Sequence, residues 1–280
     1  MKNTIFKSIE GRELIMATYD FFIKKWPVPF HTIIVPTRYG NTFVISSGKE
    51  TSPPLILIHG SSSNSASWAG EVKAYSKYFQ VFAVDVIGEP GKSASTRPPW
   101  EGDAYADWMS DVIKGLHLKN VMLLGISQGG WIALKYAISK PNNINKLVLL
   151  SPAGIVPTKI SFILKAIIYS SLGSWGANKL NQYVFGKEKM DSSALKVMNE
   201  IMTYFIPRID KEYIFTNDEL KQLKNVQTLF ICGEKDVIRS ADKIDARLNK
   251  YLNYLSAIPL PDRGHVLINL ANKIIPFLLK

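Results

Sequence analysis

Six short runs between Pro54 and Ile258 are apolar at nearly every position: PLILIH (54–59), VFAVD (81–85), VMLLG (121–125), KLVLL (146–150), TLFIC (228–232) and YLSAI (254–258). Unbroken apolarity over so few residues is what a strand needs when both of its faces are covered. Between these runs lie segments whose apolar positions recur at helical spacing, namely 104–116, 129–139, 240–252 and 266–279. Strands alternating with helices predict an α/β fold, a mostly parallel central sheet with helices on both faces.

Two stretches depart from this alternation. Ahead of it, Ile9, Leu14, Ile15, Tyr19, Phe22 and Ile23 roughly follow a helical period. They predict an amphipathic helix over about 8–26, ended at Trp26-Pro27-Val28-Pro29 because proline cannot continue a helix interior. HTIIVPT and NTFVISSG then read as two β segments around a turn at Tyr39-Gly40. Within the alternation, residues 158–216 carry no strand signal, and ISFILKAIIYSSLGSWGANKLNQYVF followed by SALKVMNEIMTYF reads as helices. That is too long for an ordinary loop. The expected organisation is therefore a core formed by 1–157 and 217–280, with 158–216 inserted as a helical cap over one end of the sheet.

Composition narrows the class. A chain of 280 residues with 46% hydrophobic content can bury one substantial core. The first residues reach Glu10 and Glu13 before any sustained apolar run, which speaks against a secretory signal. The longest apolar stretches fall short of a membrane span. Cys232 is the single cysteine, so no internal disulfide is expected and a cytoplasmic setting is the default. The formal charge of +11 comes from scattered lysines and arginines, a solvated surface rather than a nucleic-acid site. Oligomeric state has no signature in the sequence.

The chemistry begins in LLGISQGGWIAL (123–134), where Ser127 stands between an apolar run and a helical one. A serine at a sharp strand-to-helix turn is held in a strained backbone, and its neighbours two before and two after come too close for a β-carbon. Gly125 and Gly129 meet that demand, and Gly130 lets the helix approach the strand. The turn holds the Ser127 hydroxyl at the C-terminal edge of the sheet, where open α/β sheets place their ligands. An alcohol needs a base to act as a nucleophile near neutral pH. Of the four histidines, His265 follows the last strand and is expected to open the last helix, at the same edge as Ser127. His31 lies ahead of the sheet core, His59 is better suited to orienting a loop, and His117 reads as exposed or capping. A carboxylate must in turn fix the imidazole tautomer. Asp236, past the strand that ends in FICGEKDVI, is favoured, with Glu234 and Asp262 as alternatives. Two backbone N–H groups should meet the developing oxyanion: Gln128, directly after the nucleophile, and Ser61 in the loop after LILIHG, with Ser62 behind it.

Taken together HGSSSNSASW, DVIGEPGKS, GISQGG, GEKDVI and the final GH, with serine, aspartate and histidine in that order, resemble the α/β-hydrolase superfamily over nearly the whole chain beyond the first helix. The resemblance implies a helical cap, and an oxyanion donor in the HG loop. It implies a serine hydrolase, most simply a carboxylesterase that cleaves a small or medium ester through an acyl-enzyme. No metal or organic cofactor is expected. Aspartate-nucleophile dehalogenases and epoxide hydrolases are excluded by Ser127. Carbon–carbon bond hydrolases similar to this chain typically follow the histidine with tryptophan, where Val266 stands here. Haloperoxidase-like relatives, acyl transfer and a ligand-sensing or partner-binding module on the same scaffold remain alternatives. The substrate is expected to be a small molecule with an apolar group. Trp175, Tyr183, Phe185, Met198, Tyr204 and Trp131 are candidates for the pocket lining or for the cap's own core.

Overall fold

A computed structural model describes residues 5–186 and 192–280. The chain opens with helix α1 (Ile9–Lys24), followed by strands β1 (Phe30–Thr37), β2 (Gly40–Ser47) and β3 (Pro54–Ile58). Helix α2 (Val72–Tyr75), β4 (Gln80–Val84), α3 (Ala104–Gly115), β5 (Val121–Ile126), α4 (Gln128–Ser139) and β6 (Ile144–Leu150) come next. Three helices follow, with no strand between them among the described residues: α5 (Ile160–Ser170), α6 (Gly173–Phe185) and α7 (Ser192–Tyr204). The chain closes with α8 (Asn217–Lys221), β7 (Gln227–Gly233), α9 (Ala241–Tyr251), β8 (Leu255–Leu260) and α10 (Ala271–Leu279).

The eight strands of the described residues join one sheet in the order β1-β2-β4-β3-β5-β6-β7-β8. The β1–β2 and β2–β4 pairs are antiparallel; every pair from β4 onward is parallel. The continuous apolar runs are explained by which side each residue takes, since successive side chains alternate between faces. In β5, Val121 and Leu123 join a core beneath α3, α4 and α9, while Met122 and Leu124 join a second core with α1, α2 and α10. Ile56 and Ile58 against Leu55 and Leu57 in β3, and Phe230 and Cys232 against Leu229 and Ile231 in β7, divide the same way. With both sides occupied, the strand interiors are apolar, and the buried Thr228 near the start of β7 satisfies its hydroxyl on the Val226 carbonyl.

Helix α1 begins at Ser8, whose side chain accepts the Gly11 N–H, and buries Gly11, Ile15, Tyr19 and Ile23, one residue in every four. Ile9 and Leu14, expected on its apolar face, lie off that stripe and are exposed. Tyr19 donates its hydroxyl to Asp85 inside the core at 2.7 Å. The other end of α1 serves the inserted helices. Ile5, Phe6 and Ile15 form a separate apolar cluster with Ile201 and Phe205, and Phe6 pairs with Phe205 through a β-bridge. Tyr204 lies directly over Gly11, where a β-carbon would collide with its ring. Tyr204 is thus a packing residue between α1 and α7.

After α7 the chain returns as an irregular segment, and Phe215 is already in the main core, stacked on the fully buried Trp131 at 5.4 Å. Trp131, a candidate for the pocket floor, instead lies within that core and donates its indole N–H to the Tyr213 carbonyl. Among the described residues no helix is long and apolar enough to cross a membrane.

Candidate active site

Strands β3 through β8 run parallel, so the loops that leave their C-terminal ends emerge at one edge. Chain order changes direction between β3 and β5, which opens a crevice there. Ser127 follows β5 at that crevice with φ 50° and ψ −110°, a left-handed conformation that costs energy for a residue with a β-carbon. The turn is held by its own backbone: Ser127 N–H donates to the Leu150 carbonyl, and its carbonyl accepts from Trp131 and Ala153. A β-carbon on Gly125 would strike the Gly129 backbone, and one on Gly129 would strike the carbonyls of Ile58 and His59. Gly130 lies against both Pro152, beyond β6, and the Gly125 carbonyl of β5, so its glycine lets the helix approach both.

The structure brings Ser127, His265 and Asp236 together. His265 Nδ1 donates to Asp236 Oδ2 at 2.7 Å, and Nε2 lies 3.0 Å from Ser127 Oγ as the acceptor of its hydroxyl. Both the imidazole and the carboxylate are buried. Asp236 Oδ1 accepts the backbone N–H groups of Ile238 and Arg239 at 2.7 and 3.0 Å. Burial is the largest single influence on Asp236 and opposes its ionisation, but the His265 ring and these two N–H groups together hold it below the usual carboxylate range. Of the alternatives, Glu234 is exposed, and Asp262 is paired with Lys235 instead of the imidazole. His265 does not open the last helix as its sequence position suggested. Asn269 takes a left-handed φ of 59° and the Leu270 N–H is drawn to the Glu71 carboxylate, so α10 starts only at Ala271 and His265 rides a loop. That loop lies hard against the end of β7, where a β-carbon on Gly233 would meet the Arg263 and Gly264 carbonyls.

His59 holds the neighbouring loop. Its Nε2 accepts the Val86 N–H at 2.9 Å and its Nδ1 donates to the Gly60 carbonyl at 2.8 Å, an arrangement only the neutral ring can make. Burial lowers its pKa in the same sense. Gly60 lies close enough to Ser127 that a β-carbon there would sit 3.7 Å from the serine's own. Ser61 follows at once. The Gln128 N–H opens α4, where no intrahelical acceptor exists. Ser62, the alternative to Ser61, is otherwise engaged, since its N–H donates to Glu89 Oε2 at 2.7 Å.

Glu89 and Lys159 are two residues of this site that sequence reasoning did not single out. The Lys159 ammonium donates to the Asp236 carbonyl at 2.6 Å, tying the start of the inserted helices to the loop that carries the carboxylate. Glu89 is buried beneath the Ser61–Ser62 loop. Burial pushes its pKa from an ordinary 4.5 up to about 7, against the Ser62 N–H, the Gln128 side chain and the Arg97 and Arg208 guanidinium groups. The protonated acid is thus the form the fold favours. The stability it contributes is complete below its ordinary 4.5 and is lost as pH rises to about 7. Glu89→Gln keeps an oxygen for the Ser62 N–H and cannot ionise. Its melting temperature should therefore gain on the natural chain between about pH 5 and about pH 8, and a constant difference across that window would contradict the assignment.

Comparison with known proteins adds context to this geometry. A family model for the alpha/beta hydrolase fold matches residues 53–200, more than half of the chain. Carboxylesterase YbfK of Bacillus subtilis is 27% identical over 272 residues, covering 94% of this chain and 90% of that protein. Its crystal structure, described as carboxylesterase CesB (YbfK), superposes with a TM-score of 0.86 at 25% identity over 96% of this chain and 99% of that one. The crystal structure of naproxen esterase (carboxylesterase NP), also from Bacillus subtilis, gives a TM-score of 0.85 at 26% identity over 94% and 96% of the two chains.

Proposed function

The chain belongs to the α/β-hydrolase family, and from that premise we propose that it is a carboxylesterase in which Ser127 is the nucleophile, His265 the general acid–base and Asp236 its orienting carboxylate. The observation that carries the assignment is the continuous hydrogen-bonded line from Asp236 Oδ2 through the imidazole to Ser127 Oγ. Ser127 gives its proton to Nε2 as Oγ attacks the ester carbonyl. The imidazolium is stabilised by a carboxylate that two backbone N–H groups already hold in place. The N–H groups of Gln128 and Ser61 receive the tetrahedral oxyanion, each contributing roughly 10²–10³ to turnover. His265 then protonates the departing alcohol, and water repeats the sequence on the acyl-enzyme.

The substrate is a small ester, and an apolar acyl or aryl group suits the aromatic-rich inserted segment 158–216. A cytoplasmic setting belongs to the same proposal, supported by the single, buried Cys232. A fluorophosphonate probe tests the nucleophile directly. We expect one label per chain, located on Ser127 by peptide mass mapping, and none in Ser127→Ala. A label that persists in that variant would overturn the assignment.

A further inference from the structure

The inserted helix α5 presents a surface that neither the core nor the proposed chemistry uses. Its inner side packs on α6, with Phe162 stacked on Tyr183 and Tyr169 against Trp175. Its outer side is aliphatic and exposed: Ile160 by 75%, Leu164 by 57%, Ile167 by 63% and Ile168 by 57%, with Ile163 beside them. At 100° per residue these five side chains fall within one continuous arc of the helix. Single exposed aliphatics are ordinary on a protein surface, but a contiguous face of them marks a contact.

The polar surroundings identify the contact. Lys165 and Lys179 lie on the same helix pair, above the rings of Tyr183 and Trp175. Trp175 is itself 58% exposed. From Thr158 to Gly186 the sequence has three lysines and no aspartate or glutamate, and no carboxylate side chain occurs anywhere between Asp111 and Glu188. A protein partner with an apolar patch would need no such one-sided charge. An anionic lipid surface would, and aliphatic side chains bordered by tryptophan and lysine match the layering of acyl chains beneath headgroups. At 11 residues α5 is too short to span a bilayer, so it would lie in the interface plane.

We propose that the outer face of α5 docks this protein onto anionic lipid surfaces. The docking helix begins beside the site. Lys159, directly before α5, donates its N–H to the Ile238 carbonyl and its ammonium to that of Asp236, so the helix starts at the loop that holds the orienting carboxylate.

The inference goes beyond the esterase reading and is tested apart from it, with the full chain carrying Ser127→Ala. Co-sedimentation with vesicles of phosphatidylglycerol and phosphatidylcholine should be strong, and weaker by roughly twenty-five-fold on phosphatidylcholine alone, at roughly fivefold for each of Lys165 and Lys179. The triple variant Leu164→Gln, Ile167→Gln, Ile168→Gln changes only exposed positions and should lower vesicle partitioning by at least about tenfold. Restored to Ser127, the same triple variant should hydrolyse a water-soluble short-chain ester at the natural rate. Absence of vesicle binding would overturn the proposal. So would a concentration-dependent dimer that the triple variant dissociates, which would make the face a contact between copies. A drop in turnover of the soluble ester would also overturn it, by placing these side chains in the substrate pocket.

Discussion

Replacing Ser127 with alanine is expected to lower kcat for ester hydrolysis by about 10⁵–10⁶, the loss found when a triad nucleophile is removed. That corresponds to roughly 7–8 kcal/mol of transition-state stabilisation, at 1.36 kcal/mol per factor of ten. The fold should not change. Alanine keeps the β-carbon, so the strained φ of 50° is no harder to hold, and the backbone bonds to Leu150, Trp131 and Ala153 do not involve the hydroxyl. Thermal unfolding of the variant should therefore match that of the natural chain while turnover of a p-nitrophenyl ester collapses. Turnover within tenfold of the natural rate would sink the proposed mechanism. The expected remainder, about 10³–10⁴ above water, would come from the oxyanion donors and from binding alone.

The second large effect is expected from Asp236→Asn, through the tautomer of His265. The two oxygens of Asp236 have separate duties: Oδ1 accepts from Ile238 and Arg239, and Oδ2 accepts from His265 Nδ1. An asparagine would leave its carbonyl oxygen with the two backbone N–H groups, since an amide nitrogen cannot accept there. Its amide then faces Nδ1 as a donor. The imidazole must respond by moving its proton to Nε2, the nitrogen that has to take the serine proton. We expect kcat to fall by about 10⁴ with folding intact. NMR of the imidazole nitrogens should show the proton transferred from Nδ1 to Nε2. An unchanged tautomer with full activity would remove Asp236 from the mechanism.

How legible these residues were depended on whether their partners stood near them in sequence. Ser127 was visible because its steric demands fall on Gly125 and Gly129, two residues away on either side. His265 and Asp236 were visible because a parallel sheet sends the ends of β5, β7 and β8 to one edge, and apolar runs are enough to count strands. The late start of α10 was not visible. It depends on the Leu270 N–H finding Glu71, a carboxylate 199 residues away in the sequence. Glu89 was hidden for a similar reason, since its partner Ser62 belongs to a different loop and neither residue forms a local pattern with the other. Tyr204 and Trp131 stayed open between two roles because an aromatic side chain reads alike whether it lines a pocket or fills a core. Only Gly11 under the first and Phe215 against the second distinguish the two.

The apolar cluster that joins Ile5, Phe6 and Ile15 to Ile201 and Phe205 has a consequence for synthesis. The first of these residues leave the ribosome almost two hundred positions ahead of the last. At about 5–20 residues per second, the leading segment waits roughly ten to forty seconds with its aliphatic side chains uncovered. During that wait it is a natural target for a holding chaperone, and a gene rearranged to encode this helix after Lys280 would shorten the delay.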